Sequence, residues 1–159
     1  EAPEKLKVVR AILPDLPVVW KINALTSPED AKQVVDSGFL DALAVSNTIP
    51  WLQNATWTNK SGTQIDWQEL FGTEVSPLYE RGYGNGGLSG WPIFNLVVDW
   101  VATARDIGIT IPIKAEGGIQ AKADISRLAC VGADAVGLGC VSFLKPQRLK
   151  GLIKYGNIL

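Results

Sequence analysis

The sequence predicts an α/β fold of four strand–helix units, and three observations carry that prediction. Short β-branched runs alternate with stretches whose apolar residues recur at helical spacing. The short runs are apolar nearly throughout, as in strands that a parallel sheet buries on both faces. A glycine pair, Gly117 and Gly118, follows one such run, and Gly139 follows the next, as expected where a strand turns into a helix.

The elements follow in order. Residues 4–13 (EKLKVVRAIL) carry helical spacing that stops before Pro14. Residues 17–22 (PVVWKI) read as a strand buried on both faces. Residues 27–38 read as a helix, with Ser27 as N-cap, Pro28 in the first position, acids in the first turn and Gly38 at the end. Residues 41–46 (DALAVS) are a strand, and a long polar and aromatic stretch follows over 47–90. Residues 91–108 form an amphipathic helix, 111–115 a strand, 121–132 a helix, 133–139 a strand and 145–156 a last helix.

Repeated strand–helix alternation implies parallel strands joined by right-handed crossovers. Four such units make a small open sheet or half of an eight-fold barrel, which needs about 250 residues. The chain has no methionine, and its leading helix has no strand before it. Both features favour the C-terminal half of a (β/α)8 TIM barrel, with residues 1–159 as one partial barrel domain. In such folds the chemistry collects at the C-terminal ends of the strands.

Composition narrows the classes further. With 47% hydrophobic and 19% charged residues, the chain suits a globular core rather than a disordered or fibrous class. Fifteen basic and sixteen acidic side chains give a net charge of −1, so nothing draws the chain to nucleic acid or an anionic membrane. No apolar run reaches the length of a bilayer span, and no signal peptide opens the chain, so a cytoplasmic location is expected. The chain has no histidine, which excludes zinc sites and Ser-His or Cys-His catalysis built from this segment alone. Cys130 and Cys140 lack metal-type spacing and sit in apolar surroundings, so both are expected reduced and buried.

The strand ends hold the candidate site. Lys21 interrupts an apolar run, where an unpaired ammonium is costly to bury. It either snorkels from a sheet edge or faces an anionic ligand. Asn47 and Thr48 offer donors and acceptors that suit a planar heterocycle bearing amide groups, although such residues also serve turns. The stretch GNGGLSGWP places glycines at 84, 86, 87 and 90, which permit close backbone approach to a ligand or a flexible lid. Gly117 and Gly118, then Gly139 and Cys140, leave backbone N–H groups free to point at phosphate oxygens from two consecutive units.

In this order and spacing, VVWKI, VSNTI, GGLSGWP, EGGI and VGADAVGLG resemble the C-terminal half of the dihydroorotate dehydrogenase family, the flavin enzymes of pyrimidine synthesis. The resemblance runs from about residue 17 to 155. It implies an FMN-binding barrel in which Lys21 lies against the flavin and stabilises its anionic reduced form. Asn47 and Thr48 would hold the pyrimidine close to the flavin, and Gly87, Ser89 and Gly90 would pass the ring and ribityl chain. Gly117, Gly118, Gly139 and Cys140 would cradle the phosphate. The implied reaction removes two hydrogens across C5–C6 of dihydroorotate: a base takes the C5 proton and a hydride leaves C6 for flavin N5. The family's base, a Cys or Ser, lies on a loop of the first half, so the segment alone is expected to be inactive.

Ala115 stands where the family often has glycine, a version closer to dihydropyrimidine dehydrogenases, which keeps a different pyrimidine open. The loop over residues 52–83, with Trp57, Trp67 and Phe71, reads as a lid or a surface for a partner subunit. A homodimer and a separate partner both remain open. Two other readings compete: a phosphate-binding barrel without redox chemistry in which Lys21 does Schiff-base or acid–base work, and a non-enzymatic half barrel whose open edges self-associate.

Overall fold

The structure is a computed structural model that describes residues 2–58 and 61–158. It opens with helix α1 (Ala2–Ile12), followed by strand β1 (Val19–Ile22), helix α2 (Pro28–Val35) and strand β2 (Ala42–Val45). The long connection holds strand β3 (Ile49–Pro50), helix α3 (Trp67–Phe71) and strand β4 (Gly87–Leu88). After a 3-10 turn (Trp91–Ile93) come α4 (Phe94–Asp106), β5 (Ile113–Glu116), α5 (Lys122–Cys130), β6 (Ala135–Gly137), α6 (Cys140–Leu144) and α7 (Pro146–Gly156).

Four strands form one sheet in the order β1-β2-β5-β6, and every neighbouring pair is parallel. This is the architecture the alternation predicts. The register aligns Lys21 with Ala44, Ala44 with Lys114, and Lys114 with Ala135. Because successive side chains alternate across a strand, these residues share one face. The opposite face carries Ile22, Leu43, Val45, Ile113 and Ala115, all buried. Helix α4 packs against β5 and between α2 and α5, and buries Phe94, Val97, Trp100 and Val101. The Trp100 indole also donates to the Thr26 carbonyl at 2.8 Å, which satisfies its one polar atom.

The sequence signals for α2 are realised: Ser27 accepts from the Asp30 amide at 3.0 Å, with Pro28 at the first position. Two expectations need correction. Strand β1 is not buried on both faces: Val19 is 53% exposed and Lys21 stands open, on the same sheet face that leaves Lys114 of the central strand β5 48% exposed. Cys130 is exposed on the last turn of α5 and Cys140 is partly exposed, so neither cysteine is buried, although both are free thiols. Residues 140–144, between the expected strand and the expected last helix, form helix α6.

The stretch over 47–90 is also more ordered than its composition suggests. β3 and β4 pair antiparallel, with Ile49 opposite Leu88. Trp51 meets Trp67 and Phe71 edge-on at centroid distances of 5.1 and 4.7 Å. Trp57 is buried and its indole donates to the Ala24 carbonyl at 2.8 Å, tying the stretch to the end of β1. Trp57 and Trp67 therefore fill a core and offer no surface to a partner.

At the N-terminal end of the sheet one device occurs twice. The Asp41 carboxylate, just before β2, accepts from the Val18 amide beside β1 at 2.6 Å and pairs with Arg10 of α1. Asp134, just before β6, accepts from the Ile113 amide of β5 at 2.7 Å and pairs with Arg105 of α4. Each guanidinium also donates to loop carbonyls, Arg10 to Leu16 and Phe39, Arg105 to Ile109, Ile111 and Gly132.

Candidate functional site

A cavity of about 560 Å³ opens at the C-terminal ends of the four strands. Its size lies within the range of small-molecule and cofactor sites. Of the residues singled out in the sequence, Lys21, Asn47, Thr48, Ser89 and Gly90 line it. Gly117, Gly118, Gly139 and Cys140 line it as well. Gly87 does not. It pairs with Pro50 across the β3–β4 ladder, where a Cβ would come within 2.9 Å of Thr48 Oγ1 and 3.1 Å of the Ile49 carbonyl oxygen.

Local structure explains how each group reaches the cavity. Lys21 projects from the open face of β1, and Asn47 and Thr48 follow β2 directly. Asn23, at the end of β1, holds this loop: its amide donates to the Thr48 carbonyl at 2.6 Å and its oxygen accepts from the Leu25 amide at 2.9 Å. Buried Ser46 accepts from the Ala24 amide at 3.0 Å and donates to the Asn47 carbonyl at 2.5 Å. The segment after β2 is thus fixed by its neighbours, while Asn47 and Thr48 keep their side chains exposed to the cavity.

The turn after β5 needs its glycines for packing as much as for ligand access. Gly118 has φ +80°, and a Cβ there would lie 2.6 Å from the Phe94 Cβ and 2.9 Å from the Gly90 carbonyl oxygen. This turn therefore packs directly on the start of α4. Across the cavity, Ser89 Oγ lies 3.6 Å from Cys140 Sγ. Among the described residues, the amides of Gly117, Gly118, Gly139 and Cys140 donate no turn or cap hydrogen bond.

The main group that the sequence reading passed over is Glu116, at the end of β5. Its carboxylate bridges two lysines, with Lys21 Nζ at 2.8 Å from Oε2 and Lys114 Nζ at 2.5 Å from Oε1. Glu116 is 18% exposed, whereas both lysines are 48% exposed. Burial pushes the Glu116 carboxyl up, but the hydrogen bonds and charges of Lys114 and Lys21 outweigh it, and the net direction is down. Its stem lies over β6 where Gly137 has no side chain: a Cβ on Gly137 would sit 2.5 Å from Glu116 Cγ. The signal for Lys114 was present, since it is a charge inside an apolar run, as Lys21 is. Ser46, Ile93 and Phe143 also line the cavity, with no sequence signal that marks them.

No family model matches the chain. The catalytic subunit of dihydroorotate dehydrogenase B (NAD(+)) from Staphylococcus carnosus is 30% identical over 154 residues, 96% of this chain and 43% of that protein. The same-named subunit from Listeria monocytogenes is 36% identical over 63 residues, 40% of this chain and 20% of that protein. The chain thus spans less than half the length of the curated relatives it matches. Among solved structures, DHODH from Eimeria tenella in complex with ferulenol superposes with a TM-score of 0.57 at 22% identity. Its ligand-free form gives 0.58 at 21%. Each match covers 86% of this chain and 33% of the other, and at that identity it speaks for the fold, part of a TIM barrel. In sequence the chain is similar to part of the dihydroorotate dehydrogenase B catalytic subunits, and its fold matches part of the dihydroorotate dehydrogenase barrel.

Proposed function

We propose that the chain is part of an FMN-dependent oxidoreductase that oxidises dihydroorotate to orotate in pyrimidine biosynthesis. The observation that carries this reading is one cavity shared by Lys21, the Asn47–Thr48 loop and two glycine turns. The residues present suit FMN. The amides around Gly117 and Gly139 are uncommitted to turns, and a Cβ on Gly139 would meet nothing within 4 Å, so there is room for a phosphate at that turn. Gly117, Gly118, Gly139 and Cys140 would hold the phosphate through their N–H groups, with Ser89 and Gly90 alongside the remainder of the cofactor. FMN, when bound, supplies the electron-accepting chemistry.

The chain's own side chains then bind and orient. Lys21 places a positive charge in the cavity, where it favours negative charge on a bound ligand. Asn47 and Thr48 present donors and acceptors to the pyrimidine edge. The C5 proton would go to a Cys or Ser base that the family resemblance places on a loop of the barrel's first half, so the segment alone is inactive on this reading. The relatives are named catalytic subunits of an NAD(+)-linked enzyme, which supports a partner subunit here too. A cytoplasmic location is part of this reading; among the described residues no helix is long and apolar enough to cross a membrane.

The test is direct. The purified full-length protein should be yellow and should release FMN on denaturation. A colourless protein that cannot be reconstituted with FMN overturns the reading. A second reading draws on the lysine–carboxylate–lysine cluster: a phosphate-binding barrel in which Lys21 forms a Schiff base with a carbonyl substrate. Borohydride trapping of substrate on Lys21 would favour it, and its absence in an FMN-loaded protein would dismiss it.

A further inference from the structure

Three charged side chains line the cavity among the described residues: Lys21 from β1, and Lys114 and Glu116 from β5. The other described lining groups are uncharged, including Ser46, Asn47 and Thr48 after β2, Gly137 on β6, and Cys140 and Phe143 on α6. The site therefore carries a net charge of +1. How that charge is distributed depends on which lysine Glu116 neutralises. A carboxylate has two oxygens, and here each is taken by a different ammonium. Gly137 seats the Glu116 stem against the β6 backbone, so the carboxylate has a fixed platform from which to reach both.

We propose that Lys114 is a positioning residue of this site: by occupying one oxygen of Glu116, it keeps the Lys21 ammonium from closing into a neutral pair and leaves its charge for an anionic ligand. The inference rests on the FMN reading for the identity of the ligand, but the coupling among the three residues does not. Without Lys114, Glu116 and Lys21 form a one-to-one ion pair and the net charge of the cavity falls to zero. Without Glu116, both ammonium groups face the ligand and the charge rises to +2. Removing both returns it to +1. A residue needed only for folding would not show this compensation.

The first measurement needs no ligand. In the full-length protein, the carboxyl carbon of Glu116 is followed by NMR against pH in the wild type and in Lys114→Gln. The wild-type group titrates below its ordinary value of 4.5, and Lys114→Gln moves it upward. An unmoved titration overturns the proposal whether or not FMN binds.

The second measurement uses FMN, followed by quenching of its fluorescence and by the midpoint potential of the bound form. Lys114→Gln weakens binding about tenfold, Glu116→Gln tightens it by a similar factor, and the double variant returns close to wild type. The potential falls in Lys114→Gln if the site favours the reduced, anionic form, by about 30 mV for a tenfold change in relative affinity. Lys114→Arg keeps the charge and behaves as wild type, which separates charge from general damage. A double variant as weak as Lys114→Gln alone overturns the proposal. A shifted Glu116 titration in a protein that takes up no FMN upholds the coupling and removes the flavin reading instead.

Discussion

At the N-terminal end of the four-stranded sheet, Arg10 meets Asp41 and Arg105 meets Asp134; at the C-terminal end, Lys21 and Lys114 meet Glu116. Both ends use a basic side chain and a carboxylate, but the surroundings differ. Each arginine spreads its planar fork over several carbonyls as well as the acid, and each aspartate also takes a strand amide, so the group is locked in many directions. Each lysine offers a compact charge to a single carboxylate and remains half exposed. The first arrangement fixes strand register. The second leaves charge adjustable beside a cavity, which is where a ligand would need it.

The contrast can be broken most severely at Gly118, where the functional end is also structural. Gly118→Ala would force a Cβ against Phe94 at a positive φ and should cost roughly 3 kcal/mol from overpacking and strain together. Urea unfolding would report it, and an unchanged midpoint would deny that this turn packs on α4. Next in size, Arg105→Ala removes charged hydrogen bonds to three carbonyls and to Asp134, and should lower stability by about 2–3 kcal/mol. Glu116→Gln, by contrast, should cost less, about 1 kcal/mol, while altering FMN affinity, because both of its lysine partners are half exposed to solvent. A large loss of stability there would erase the distinction between the two ends.

The smallest effect concerns acid. The Val18 amide and Arg10 hold the Asp41 carboxyl below its ordinary value of 3.8. A lowered folded pKa stabilises the protein above the unfolded value, and that contribution is lost as pH falls through the folded one. Comparing wild type with Asp41→Asn by thermal unfolding, the gap in melting temperature should be full at pH 6 and shrink below about pH 3.8. A gap that persists at pH 2 would mean the clamp acts through shape rather than charge.

Much of this was legible in the sequence because it depends on local pattern. The parallel strands follow from β-branched runs separated by helical spacing, and Lys21 stood out as a charge where burial was expected. The Ser27 cap could be read from adjacent residues. What escaped is non-local. Glu116 reaches Lys21 across 95 positions, and Arg10 reaches Asp41 across 31, and no periodicity links such pairs. The role of Gly137 depends on a neighbour's side chain lying over it. Strands β3 and β4 are two residues each, too short for any alternation to register. The openness of one sheet face was also hidden, because an apolar run does not reveal that one of its two faces goes uncovered, as it does at Lys21 and Lys114.

The duplicated Arg–Asp latch also bears on how the chain reaches its native state. Each latch joins one helix to one pair of adjacent strands, β1 with β2 or β5 with β6, and neither reaches across the long aromatic stretch between them. Such short-range assemblies can form before their union, since closing the longer connection between β2 and β5 costs more chain entropy than closing either shorter one. Pulsed hydrogen exchange during refolding should find the amides inside each pair protected early, and those bridging β2 to β5 protected last.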